Sequence, residues 1–237
     1  MRSLTALYHN AGDSNDAGEN LGSQYTLDLL SRFQLSQYEM FLAFDYCREL
    51  GILALCTPWD LESLAALETY GMPAYKVASA DLTNHELLSA LAETGKPLIC
   101  STGMADEEEI VQSVKFLQKL GVQYVLLNCN STYPAPFKDV NLRYMDRLRE
   151  IGQCLVGHSG HERDINVAIA AVARGAKIVE KHITLDRAME GNDHKVSLLP
   201  HEFKAMVEGI RQVEEALGTD AERKITQGER INRATLA

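Results

Sequence analysis

Six short apolar runs in this chain each end in side chains that can do chemistry. Thr57 closes ILALCT, and Lys76, Ser79 and Asp81 lie in and just after AYKVAS. Ser101, Thr102 and Gly103 end PLICST, and Asn128, Asn130, Ser131 and Tyr133 end or follow YVLLNC. His158, Ser159 and His161 end or follow QCLVGH, while Lys181 and His182 end KIVEKH. In parallel α/β folds the C-terminal ends of strands gather function, so six such ends in succession point to one site. His161 and His182 follow consecutive runs, with His158, Asp193 and His194 close by in sequence. Imidazoles from neighbouring strand ends can share one ion and leave positions open for substrate. Two nitrogens with water or substrate oxygen suit Mn²⁺ or Mg²⁺ better than structural zinc. Taken singly, His161 also reads as a helix cap and His182 as a satisfied interior histidine.

Lys76 sits inside an apolar run, where an ammonium is costly unless it meets an anion or a carboxylate. A phosphate ligand, a Schiff-base nucleophile and an outward lysine paired with a helix all remain open. The hydroxyls of Ser101 and Thr102, before a helix, suit either phosphate binding or plain N-capping. Ser131 and Tyr133 in NSTYPAP carry the same ambiguity. Strict alternation puts Lys181 on the face opposite His182, which favours a structural role for it. Cys56, Cys100 and Cys129 show no neighbour in sequence that would lower a thiol pKa, and they read as small packing residues.

These residues need elements that hold them. The strand candidates are 52–57, 74–79, 97–102, 124–129, 153–158 and 177–182, all too continuously apolar to keep one face wet. Helical patterns cover 37–50, 59–70, 84–94, 106–120, 163–174 and 200–217. Gly51, Gly95, Gly121 and Gly175 each stand between a helix and a strand, where a left-handed C′ residue is expected. Strand starts recur every 22–29 residues, the length of one βα unit. No GxGxxG or GxxxxGK[ST] turn occurs, which weakens the open doubly wound alternative. The expected fold is therefore a TIM-type (β/α)8 barrel, incomplete, with about six βα units visible. Residues 1–35 read as a polar N-terminal segment, 36–218 as the barrel and 219–237 as a linker beyond it.

The chain has 237 residues and a formal net charge of −10. That balance argues against nucleic acid or an anionic membrane as the main partner. No apolar run reaches the ~18 residues of a membrane span. Five cysteines at wide gaps, without CxxC, fit a reduced cytoplasmic protein.

Several segments together resemble the sialic acid synthase, or N-acetylneuraminate synthase, family. They are CTPWD (56–60), MPAYKVASAD (72–81), GKPLICSTGM (95–104), LLNCNSTYPAPFKDVNL (126–142), GHSGH (157–161), GAKIVEKHITLD (175–186) and MEGNDHKVSL (189–198). The resemblance implies a (β/α)8 barrel followed by a small antifreeze-like domain. It implies condensation of phosphoenolpyruvate with an N-acylated hexosamine aldehyde of the mannosamine type, giving a nine-carbon nonulosonic acid and phosphate. By motif, His161 and His182 match the metal ligands. Thr57, Lys76, Ser79, Ser101, Ser131 and Ser159 match phosphoenolpyruvate-binding positions, with Thr102 beside them. Tyr133 and Asp193 match acylaminosugar-binding positions, and Asp81 is a nearby acidic group. Lys76, Asp81 and Asp193 are the catalytic candidates, and a homodimer is the expected assembly.

The chain also departs from the family. A first strand like AEIGxNH and a second with a KxQ lysine are not found, and the first two βα units are expected to be missing. The C-terminal antifreeze-like domain is likewise not seen. Gly160 stands where the family has aspartate, and Asn192 where it has proline. A non-catalytic binding homologue is the second reading, and a Schiff-base aldolase using Lys76 the third.

Overall fold

A computed structural model describes Met1, residues 31–191 and residues 193–236. Five strands form one sheet: β1 (Tyr75–Val77), β2 (Leu98–Ser101), β3 (Tyr124–Cys129), β4 (Val156–Gly160) and β5 (Val179–Lys181). They pair in chain order and all in parallel. Helices α1 (Gln37–Glu49) and α2 (Leu61–Tyr70) precede β1, α3 (His85–Glu93), α4 (Glu107–Leu120), α5 (Tyr144–Gly152) and α6 (Asn166–Ala173) connect successive strands, and α7 (Pro200–Leu217) and α8 (Gln227–Leu236) follow β5.

Alternation along the strands separates two faces. Tyr75, Val77, Leu98, Cys100, Leu126 and Val156 point outward and share one core with Leu67, Leu88, Leu91, Ile110, Val114, Leu117, Met145 and Leu148 of the helices. The opposite face carries Lys76, Ser101, Cys129, Ser159 and Glu180. Strands about 4.8 Å apart would put β1 and β5 roughly 19 Å from each other in a flat sheet. Yet Lys76 Nζ on β1 lies 3.4 Å from Glu180 Oε2 on β5. The sheet is therefore curled, and its inner face is the concave wall of an incomplete barrel.

Local signals set the helix ends. Asp106 caps α4 and forms a capping box with Glu109, and Ser36 does the same with Glu39 for α1. Gly51, Gly95, Gly121 and Gly175 all adopt positive φ, as their positions predicted.

Three expectations need correcting. The run 52–57 is not a sixth strand. It lies extended beside β1 and joins it through one bridge, Cys56 to Tyr75. Its side chains Ile52, Leu53 and Leu55 are exposed, so burial does not force a ladder there. The fourth strand is 156–160 rather than 153–158, because α5 runs to Gly152 and Gln153 ends it in a left-handed conformation. Helix α5 itself was missed, although Met145, Leu148 and Gly152 recur at helical spacing and are buried. In addition, residues 227–236 within the expected linker form α8. The reading of residues 1–35 falls mostly on residues 2–30, outside the described residues, as does Asn192. Among the described residues no helix is long and apolar enough to cross a membrane.

Candidate functional site

The polar strand ends converge at the C-terminal rim of the concave face, in two adjoining halves. The first half is built around Lys76, whose side chain is 13% exposed. Its Nζ donates to Ser101 Oγ at 2.8 Å and to the Val77 carbonyl at 3.0 Å, with Glu180 as counter-ion. Three acceptors around one nitrogen suit an ammonium that can exchange a partner for a bound anion, more than the free amine of a Schiff-base lysine. Just beyond, the Gly103 N–H donates to Ser79 Oγ at 3.1 Å. A Cβ at Gly103 would stand 2.7 Å from both Cys129 Sγ and Ser131 Oγ, so only glycine lets the loop after β2 approach β3 this closely. Ser79, Ser101, Ser131 and Lys76 therefore share one corner.

The second half contains the histidines. His161 and His182 meet edge to face with ring centroids 5.2 Å apart, and Tyr133 lies against both, at 4.1 and 5.9 Å. His161 Nδ1 sits 2.7 Å from the Asn130 carbonyl, an acceptor, so Nδ1 carries the proton and the Nε2 lone pair is left for a ligand. His182 Nδ1 is 3.9 Å from the Asp193 carboxylate. Two imidazoles at this separation can bind one divalent ion while a carbonyl orients the first of them, so the donor set fits a metal with open positions. Among the described residues no three His, Cys, Asp or Glu side chains form a closed cage.

The electrostatics agree with this division. Burial lowers the His182 pKa, outweighing the opposing pull of the Asp193 carboxylate. Burial, then the charges of Asp193, Cys129 and Glu180, pushes the Tyr133 phenol up to about 12, so it is a neutral donor. Cys129 departs from the packing role expected of it. Burial would raise its thiol, but hydrogen bonds from His161 and Ser79 outweigh burial and lower it. Ser159 adds a further bond to it. Cys100 does behave as expected: it is fully buried, and burial pushes its thiol up to about 12.

Other candidates sit differently. The Thr102 hydroxyl donates to the Leu127 carbonyl at 3.0 Å and ties β2 to β3. Asp81 is buried in the turn after β1, where Asn84 Nδ2 donates to its Oδ1 at 3.2 Å. Thr57 lies in the extended segment beside β1, next to the Cys56 bridge. His194 Nδ1 is 2.7 Å from Thr184 Oγ1. His158 points to the helix side of β4, away from the other two histidines. Glu180 escaped the sequence reading. Its place two residues before His182 puts it on the same face, and that parity was the available signal.

The chain is similar over most of its length to several known proteins. The chain is 41% identical over 190 residues to the N,N'-diacetyllegionaminic acid synthase of Campylobacter jejuni, covering 79% of this chain and 57% of that protein. It is 37% identical over 175 residues to the human N-acetylneuraminate-9-phosphate synthase, covering 73% and 49%. The chain thus spans about half the length of these curated relatives. The N-acetylneuraminic acid synthetase structure from Leptospira borgpetersenii superposes with a TM-score of 0.82 at 30% identity, covering 92% of this chain and 75% of that one. The NeuB family model matches residues 1–222, and with this fold and these relatives the chain belongs to the NeuB family.

Proposed function

We propose that this chain carries the catalytic barrel of a nonulosonic acid synthase. The reaction would join phosphoenolpyruvate to an N-acylated hexosamine of the mannosamine type, a phosphoenolpyruvate-dependent carbon–carbon bond-forming transfer. The observation that carries the reading is the adjacency of the two halves: an ammonium with hydroxyls beside a histidine pair with a neutral phenol. Lys76, Ser101, Ser79, the Gly103 N–H and Ser131 would hold the phosphate and carboxylate of phosphoenolpyruvate. Thr57 and Ser159 would add hydroxyls to the same anion-binding set. Tyr133 and Asp193 would orient the sugar, and Asp81 is a further acidic group near the rim.

His161 and His182 would hold the divalent cation, Mn²⁺ or Mg²⁺, which when bound supplies Lewis-acid polarisation of the sugar aldehyde. Carbon 3 of phosphoenolpyruvate would attack the aldehyde carbon, the carbonyl π bond opening to an alkoxide that takes up a proton and becomes a hydroxyl, while carbon 2 is left electron-poor. Water adds at carbon 2, and phosphate leaves as the keto acid forms. Glu180, paired with Lys76, would take a proton from that water.

The full protein, incubated with Mn²⁺, phosphoenolpyruvate and a panel of N-acylated hexosamines, should release phosphate in step with a product of nonulosonic acid mass. Heat of phosphoenolpyruvate binding, with no phosphate released from it in the presence of any aldose, would replace condensation by a binding role.

A further inference from the structure

Beneath the histidine pair, on the helix side of the sheet, lies a sealed charged cluster that the proposed reaction does not use. Lys181 Nζ donates to Glu162 Oε1 at 2.8 Å and also to the Glu162 carbonyl oxygen. The two side chains are 0% and 1% exposed. Glu162 Oε2 is 3.3 Å from His158 Nε2, and His158 Nδ1 reaches the Asn128 carbonyl at 3.1 Å. The cluster therefore ties the loop after β4 to β5, with β3 included through Asn128.

Its place in the chain is informative. Glu162 directly follows His161, and Lys181 directly precedes His182. One buried ion pair thus links the backbone at both histidines. Gly160 completes the arrangement: a Cβ there would stand 2.6 and 2.9 Å from the Glu162 carboxylate oxygens and 3.0 Å from His158 Nε2. The carboxylate of Glu162 fills the space that a side chain at 160 would enter. A buried pair is weak evidence for added stability, since desolvation offsets most of its attraction. A function in positioning explains why charge is kept here.

We infer that the buried Glu162–Lys181 pair, with His158 and the glycine at 160, is a positioning device that sets the separation of His161 and His182. The pair touches no substrate; it acts through the two histidines. The inference rests on reading those histidines as the ligand pair, and its test is read without metal as well as with it.

The first measurement is the ring-to-ring nuclear Overhauser effect between His161 and His182 in the metal-free full chain. It should be present in the parent and lost or strongly weakened in Glu162→Gln. The second is Mn²⁺ affinity by electron paramagnetic resonance of free Mn²⁺, expected to fall about 10–100-fold in that variant, as when a metal ligand loses its support. Adding Gly160→Asp to Glu162→Ala places a carboxylate in the same space and should recover most of both signals. Leu148→Ala, a core truncation on α5, serves as a control that loosens the fold without touching the cluster. A folded Glu162→Gln chain with the ring contact intact and Mn²⁺ affinity within twofold of the parent overturns the inference. So does an equal loss in Leu148→Ala. If Glu162→Gln does not fold, the Gly160→Asp/Glu162→Ala chain decides: parent-like ring contact supports positioning, and its absence overturns it. A parent chain that shows the ring contact but takes up no Mn²⁺ counts against the metal reading and leaves the positioning result to stand on the contact.

Discussion

At the β4–β5 end of the sheet, Glu162, Lys181 and His158 are sealed from solvent. At the β1 end, Lys76 is held by Ser101 and by a Glu180 side chain that is 42% exposed. Both ends place a lysine against a carboxylate, but in different ways. The sealed pair cannot exchange partners without leaving a bare charge in the interior. The open pair can, because water reaches the partly exposed Glu180 carboxylate and can solvate it when it leaves Lys76. One pair is closed off from water on both sides, and the other has one partly exposed member, Glu180.

The largest effect expected from this contrast is on stability. Lys181→Met strands the Glu162 carboxylate and should cost about 3–5 kcal/mol, read by urea denaturation. A loss below ~1 kcal/mol would mean that water reaches Glu162, and the contrast would collapse.

Next come the histidines. His161→Ala or His182→Ala removes one of the two proposed ligands and should weaken Mn²⁺ binding by at least about 100-fold, more than loss of a supporting partner does. Thermal unfolding should stay close to the parent. Unchanged Mn²⁺ affinity in either variant would remove that residue from the ligand set.

The open end predicts a graded response. Lys76→Met should weaken phosphoenolpyruvate binding by roughly 10–100-fold, matching the ~1.5–3 kcal/mol of a hydrogen bond to a charged group. Lys76→Arg should keep part of that affinity because the charge survives, though not the geometry. Calorimetry separates these cases, and equal binding by Lys76→Met and the parent would put the lysine outside the site.

The smallest effect sharpens the boundary between site and scaffold. Thr102→Val removes the hydroxyl bond to the Leu127 carbonyl and should cost about 1 kcal/mol of stability. Phosphoenolpyruvate affinity should not move, and a tenfold loss would return Thr102 to the anion-binding set.

Much of this molecule is legible in one dimension. The repeat of 22–29 residues, the glycines before strands and the polar strand ends follow from local rules: helical period, left-handed caps and the continuous hydrophobicity of covered strands. Those rules placed β1, β2, β3 and β5, the helices except α5 and α8, and the pairing of His161 with His182. The opposite orientation of Lys181 followed from parity alone. Local rules failed where an element's fate depends on what covers it. Residues 52–57 are apolar enough for a strand but meet the sheet at a single bridge. Their ladder would need a neighbour on the far side, and no pattern within the run can say whether one is present.

The remaining properties were decided only in three dimensions. That Glu180 faces Lys76 depends on the curl of the sheet, because β1 and β5, at opposite ends of the strand order, come together across the concave wall only when it bends. That Cys129 is drawn toward His161, and that Thr102 serves the backbone, depends on contacts 32 and 25 residues away in sequence. The Glu162–Lys181 pair is the clearest case, with its members 19 positions apart in the chain. The sequence shows two charged residues beside two histidines. Only the parallel register of β4 and β5 buries those charges together, because burial depends on everything packed around a residue and not on the residue itself.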